Sequence, residues 1–127
     1  MILIVDSGST KTDWIALDNN GNELFSTQTL GLNPQMLSNE ILNERIKNNF
    51  DIYKNRKVVE KLFFYGAGCG VESTQNRILK VFRSIFSKSE FDIKEDTYAA
   101  VFSAVDEGKP SIVNIIAVSY THLTLPT

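Results

Sequence analysis

The residues best suited to chemistry lie near the start of the chain, where Asp6 ends a run of apolar residues. The turn that follows it consists of Ser7, Gly8, Ser9 and Thr10. Backbone N–H groups and hydroxyls in such a turn can close around phosphate oxygens, and Asp6 can reach a magnesium ion directly or through its waters. The stretch is therefore suited to binding phosphate groups and a metal ion. An ordinary β-hairpin with a polar turn explains the same spacing equally well.

The elements around Asp6 are predicted to be strands. Residues 2–5 are apolar on both faces, as in a strand buried centrally in a sheet. Strand patterns follow at residues 12–18 and 23–30, and the Asn-Gly pair between them is typical of a tight hairpin. Three antiparallel strands are therefore expected to open the chain.

Alternating helices and strands are predicted after this meander. Apolar residues recur at helical spacing from Leu37 to Tyr53, and Asn33 before Pro34 could be the N-cap of that helix. Residues 51–61 are interpreted as a polar connection. The later patterns predict a strand at 62–65, a helix over 78–86, a strand at 90–95, a helix over 97–107 and a strand at 111–116. The order predicts an α/β fold, a mixed sheet with helices on both faces.

Composition excludes several classes of protein. A chain of 127 residues suggests one domain, and the net charge of −2 gives no basic footprint for nucleic acid or for anionic membranes. No apolar run reaches membrane-spanning length, and because Met1 leads straight into the first strand, we expect no signal peptide. Cys69 is the sole cysteine, which excludes an internal disulfide. The cytoplasm is the expected compartment.

Two later strand ends also carry residues of interest. Three glycines stand among the five residues of segment 66–70, and they permit close backbone approach to a ligand or a tight turn alone. Asp96 ends a predicted strand and begins a predicted helix, so it is expected at the carboxyl edge of the sheet. Its carboxylate can act as a general base, whereas a plain helix N-cap is the alternative. Cys69 is interpreted as a small packing residue.

Residues 117–127 differ from the rest of the chain. They contain no Lys, Arg, Asp or Glu, and they carry the single histidine, His122, for which we expect no catalytic role. We expect this tail to be non-native or out of frame, and the natural protein to continue differently after about residue 116. A native edge strand is the alternative.

Four motifs together resemble a known family. Residues 5–14, 31–34, 65–69 and 95–96, the last followed by an alanine-rich pattern, occur in the order found in the N-terminal lobe of N-acetylglucosamine kinase-like proteins. That family combines these kinases with the benzoyl-CoA reductase activase-type ATPases. The resemblance implies an actin-like ATPase lobe of the ribonuclease-H type over residues 1–116, with the second lobe absent from this chain.

The resemblance implies roles for the opening stretch. Gly8, Ser9, Thr10 and Lys11 would bind the β- and γ-phosphates of ATP, with the Lys11 side chain turned either inward or to solvent. Asp6 would help to orient Mg²⁺ through water, which neutralises charge on the transferred phosphoryl group.

It also implies a substrate site. Asn33 would donate or accept a hydrogen bond with a sugar hydroxyl, unless the N-cap role explains it, and Gly68 would line the sugar site. Asp96 would bind the sugar and accept the proton of its attacking hydroxyl.

The function implied is ATP-dependent phosphorylation of an amino sugar, with N-acetylglucosamine as the first choice. The expected partners are the sugar and ATP, with no nucleic acid or membrane and with a homodimer as an option for the intact protein. Two alternatives stay open, which are an activator ATPase that couples hydrolysis to electron transfer and a non-catalytic sugar or nucleotide sensor. The 127-residue chain alone is expected to be inactive. In the family, the second phosphate loop follows the last strand and the adenine pocket lies in a second lobe, and neither is present in this chain.

Overall fold

The computed structural model describes residues 1–95 of the 127. The strands of this part are β1 (Ile2–Ser7), β2 (Lys11–Leu17), β3 (Glu23–Leu30), β4 (Lys61–Gly66) and β5 (Glu90–Glu95). Its helices are α1 (Asn39–Lys47), α2 (Phe50–Lys54) and α3 (Glu72–Ile85). The predicted helix over 97–107, the predicted strand at 111–116 and the tail at 117–127 lie outside the described residues.

The five strands form one mixed sheet in the order β3-β2-β1-β4-β5. The three strands at the start of the chain pair antiparallel, whereas β4 runs parallel to both β1 and β5. The predicted α/β fold class is confirmed. Because β1, β4 and β5 point the same way, the segments that follow them emerge at one edge of the sheet.

The described helices pack against one face of this sheet. Inward side chains of the central strands alternate with residues of the opposite face, and Trp14, Val5 and Phe64 are fully buried under the helices. Phe64 meets Phe82 of α3 edge to face at 5.1 Å between ring centroids, a geometry that aromatic pairs favour. Helix residues of the same core are Leu42, Ile46, Ile52, Ile78, Val81 and Ile85.

The helical region between β3 and β4 differs from the prediction. One helix was expected from Pro34 onward, but α1 begins at Asn39, with Ser38 as its N-cap, and α2 begins separately after Asn49. Both caps accept a backbone N–H of the helix that they begin, so two local side-chain bonds divide the apolar repeat into two helices. The N-cap interpretation of Asn33 is therefore wrong. The expected polar connection is also shorter than predicted, because α2 extends to Lys54.

The longest described helix is α3, with 14 residues. A helix that crosses a bilayer needs about 20 apolar residues. No helix within residues 1–95 has the length and the apolar character that a membrane span requires.

Candidate functional site

The turn between β1 and β2 is closed by its own backbone. Ser7 lies opposite Thr12 in the strand pairing, and the Gly8 N–H donates to the Lys11 carbonyl oxygen at 2.9 Å. Ser9 and Thr10 therefore form the exposed tip. Within residues 1–95, neither the N–H groups nor the hydroxyls of these two residues donate a hydrogen bond. The tip offers donors that can bind an anion.

A row of polar residues crosses the sheet beside this turn, on the face away from the described helices. Asp6 lies opposite Asp13 on β2 and opposite Tyr65 on β4. The row continues to Gln28 on β3 and to Lys94 on β5. The Gln28 amide nitrogen donates to Asp13 Oδ1 at 2.7 Å and holds that carboxylate in place.

Two carboxylates of this row, Asp6 and Asp13, lie directly opposite each other across paired strands. Like charges in that position repel, and a positive group on the same face offsets the repulsion. Lys11 lies on the same face as Asp13, two residues earlier on β2, and it is exposed. Lys11 therefore adds a positive charge to the strand face that carries the carboxylates.

The acidic residues of this row fit a magnesium site completed by substrate. No group of three or more acidic, histidine or cysteine side chains in residues 1–95 forms a ready metal site. Mg²⁺ is commonly held by one or two carboxylates together with substrate phosphates and water. Asp6, which is exposed and lies next to the turn, can provide such a carboxylate.

The structure brings Asn33 and Gly68 together. Gly68 has a φ of 83°, and a Cβ built on it would overlap the Asn33 side-chain amide. Asn33 Oδ1 accepts the Gln35 N–H at 2.9 Å, so its side chain shapes the turn that follows. Only glycine allows both this backbone conformation and this close approach. The two predicted substrate residues thus line one place on the molecule.

The loop that carries Asn33 also contacts the turn between β1 and β2. The Gly31 N–H donates to the Thr10 carbonyl oxygen at 3.0 Å. A Cβ built on Gly31 would lie 2.6 Å from the Ser9 carbonyl oxygen and 2.9 Å from that of Gly8. Two candidate binding elements therefore meet backbone to backbone at the same edge of the sheet.

Ser7 joins these elements from inside the core, although it was predicted as a turn residue. It is the last residue of β1 and is fully buried. Its Oγ accepts hydrogen bonds from Thr12 Oγ1 and from the Leu32 N–H, both at 3.0 Å. Strand alternation from Leu3 and Val5 puts Ser7 on the inward face, which is a sequence signal that could have shown this role.

The remaining predicted positions have different outcomes. Cys69 is buried in the core, as expected of a packing residue. Asp96 lies outside the described residues, directly after the end of β5 at Glu95. Glu95 pairs with Gly66, so β5 ends beside the glycine-rich segment.

The mixed sheet, with its hairpin turn at the carboxyl edge of β1, has the fold class of an actin-like lobe. Among solved structures, the chain is similar to a protein of Porphyromonas gingivalis that is provisionally assigned as an N-acetylglucosamine kinase. The match has a TM-score of 0.72 and 28% sequence identity, and it covers 84% of this chain and 38% of that chain. The resemblance inferred from the motifs is confirmed. No family model matches the chain, and neither does any curated protein.

Proposed function

We propose that the intact protein transfers the terminal phosphoryl group of ATP to a hydroxyl of an amino sugar, with N-acetylglucosamine as the first candidate. The observation that carries the proposal is the contact at Gly31, which joins the turn at residues 8–11 to the Asn33 and Gly68 pair. The similarity to the Porphyromonas gingivalis protein supports it. A phosphate site next to a site for a small polar substrate is what a small-molecule kinase needs.

The turn would bind the phosphates. The N–H groups and hydroxyls of Ser9 and Thr10 are suited to the phosphate oxygens, and Gly8 lets the backbone approach them closely. Lys11 would add positive charge from the neighbouring strand position. Asp6 would hold Mg²⁺ through water, and Mg²⁺ supplies the neutralisation of charge on the transferred group.

The second element would bind the sugar. The Asn33 amide retains its Nδ2 donor, because among residues 1–95 only its Oδ1 has a hydrogen bond. It could therefore donate to a sugar hydroxyl beside the Gly68 backbone. Asp96 would accept the proton of the attacking hydroxyl, since a carboxylate with a pKa of about 3.9 is ionised at neutral pH.

The proposal includes a second lobe. We propose residues 1–116 as the first lobe and residues 117–127 as a segment outside it, with the adenine site on the second lobe of the intact protein. The chain spans 38% of the length of its Porphyromonas gingivalis neighbour, which supports this division. We propose the cytoplasm as the compartment, because the reaction consumes ATP.

The test is ADP production by the intact protein with Mg²⁺, with and without N-acetylglucosamine. Glucosamine, N-acetylmannosamine and glucose serve as matched alternative sugars, and the 127-residue chain serves as the single-lobe control. We expect ADP formation that depends on an amino sugar and is absent with the control. Sugar-independent ADP would favour an activator ATPase, and binding without ADP would favour a sensor; either result would overturn the proposal.

A further inference from the structure

Arg77 of α3 holds the segment that follows Asn33. Its Nη1 donates to the Pro34 carbonyl oxygen, and its Nη2 donates to the Leu37 carbonyl oxygen at 2.8 Å. Its Nε and Nη2 also donate to Asn39 Oδ1, at 3.2 and 3.1 Å. One guanidinium thus contacts three points between residues 34 and 39, a region that has no regular secondary structure before α1 begins.

The same helix holds the glycine-rich segment. Gln75, two residues before Arg77, donates from Nε2 to the Cys69 carbonyl oxygen at 2.7 Å. The Gly68 backbone therefore has a fixed position relative to α3. Because Asn33 packs against Gly68, the two sides of the proposed sugar site are both fixed by side chains of one helix.

We infer that Arg77 is a positioning residue that sets the affinity for the sugar by holding residues 34–38, and with them the Asn33 turn, in place against Gly68. The inference rests on the proposed function. Within residues 1–95, Arg77 makes no hydrogen bond to the turn at residues 8–11, since its hydrogen bonds all end between residues 34 and 39. Its effect is therefore expected on the sugar and not on ATP.

The guanidinium geometry is what the position requires. A planar fork with five N–H donors can bind several carbonyl oxygens in different directions, whereas an ammonium group on a flexible stem cannot reproduce this arrangement. The Arg77→Lys variant keeps the charge and loses the fork, and Arg77→Met keeps the aliphatic stem alone. Arg83 lies on the same helix and is exposed, so Arg83→Met is the matched control.

The experiment has two readouts on the intact protein. Hydrogen exchange of the amides at 35–38 is compared in wild type, Arg77→Met and Arg83→Met, without any ligand. KM for N-acetylglucosamine, KM for ATP and kcat are then measured for the same proteins. We expect faster exchange in Arg77→Met and a rise in sugar KM of roughly 10- to 100-fold, the range for loss of hydrogen bonds to a charged group. ATP KM and kcat should change by less than about twofold, and Arg77→Lys should behave like Arg77→Met.

A double variant tests whether Arg77 acts through Asn33. If it does, Asn33→Ala and Arg77→Met together raise the sugar KM little more than the larger single change, because both remove one interaction. Unchanged exchange at 35–38, an equal rise in both KM values, or additive effects in the double variant would each overturn the inference. A wild-type protein without sugar-dependent ADP would instead refute the proposed function, and the exchange result would then show separately whether Arg77 holds the segment.

Discussion

The two candidate binding elements are built in opposite ways. The turn at residues 8–11 is closed by a hydrogen bond between Gly8 and Lys11, which are near neighbours in the chain. The Asn33 segment is held by groups far along the chain, such as Arg45 Nη1, which donates to the Gly31 carbonyl oxygen at 2.6 Å, and Arg77. The turn is a local structure, whereas the second element exists only when the helices have packed. Substitutions should therefore affect the two elements separately, except where they meet.

The largest effect is expected at Asp96, which belongs to neither element. Asp96→Asn in the intact protein should lower kcat by about 10²- to 10⁴-fold, the usual contribution of a general base, because the amide cannot accept the proton. The ATP KM should change little. Steady-state kinetics against Asp51→Asn, the same change on the surface of α2, checks this. An unchanged kcat would refute the assignment.

A smaller effect, confined to one element, is expected at Gly68. An alanine there must adopt a left-handed backbone that costs roughly 1–2 kcal/mol, and it must displace Asn33. Gly68→Ala should raise the sugar KM about 10-fold or more and leave the ATP KM unchanged.

Gly70→Ala is the matched control for this change. Within residues 1–95, the atoms nearest to its added Cβ belong to the flexible Glu95 side chain, the first of them at 3.0 Å. Equal increases in both KM values for Gly68→Ala would show that the two elements are not independent.

Ser7 tests the place where the elements are joined. Ser7→Ala removes the buried acceptor of the Leu32 N–H and should destabilise the protein by about 1–3 kcal/mol, the cost of leaving a buried donor unsatisfied. The urea midpoint of unfolding measures it. Ser9→Ala is the control, because Ser9 is exposed and makes no side-chain hydrogen bond within residues 1–95. Equal midpoints for the two variants would show that the Ser7 hydroxyl does not hold the elements together.

The smallest effect is expected at Asp18, in the other hairpin. The N–H groups of Asn22 and then Asn20 lower the pKa of Asp18 below 3.8 by donating to its carboxylate, although burial opposes this. Because the folded pKa is depressed, the carboxylate stabilises the fold above the unfolded pKa, and this stabilisation is lost as pH falls through the folded value.

Asp18→Asn should therefore lower the urea midpoint slightly at neutral pH. At a pH below the folded pKa of Asp18, the variant and the wild type should have the same midpoint. Glu23→Gln, in the same hairpin, is the control. If the midpoints of Asp18→Asn and wild type still differ at the lowest pH, the effect comes from the changed side-chain geometry and not from the charge. Neither KM value should respond, because Asp18 is remote from both elements.

The difference between local and long-range contacts also explains what could be inferred from the sequence. The turn, the strands and the apolar helix positions follow from short-range patterns, which is why the mixed sheet was predicted correctly. The pairing of Asp6 with Asp13 could also have been predicted, because a hairpin with a two-residue tip at Ser9 and Thr10 has that register. The contacts of Arg45 and Arg77 could not be predicted, because neither residue type nor spacing indicates which distant carbonyl oxygen a surface arginine will meet. The same holds for the start of α1, where Ser38 was one of several polar residues able to cap a helix.

The parallel pairing of β1 with β4 has a consequence for synthesis on the ribosome. The hairpin of β1 and β2 can form as soon as its own residues have left the exit tunnel, because its contacts are local. The other edge of β1 can pair only after β4 has been synthesised. Arg77 can form its hydrogen bonds only after α3 has been synthesised as well. The nascent chain therefore exposes the edge of its central strand for most of the lobe's synthesis, so folding of this lobe is most vulnerable to aggregation before β4 emerges.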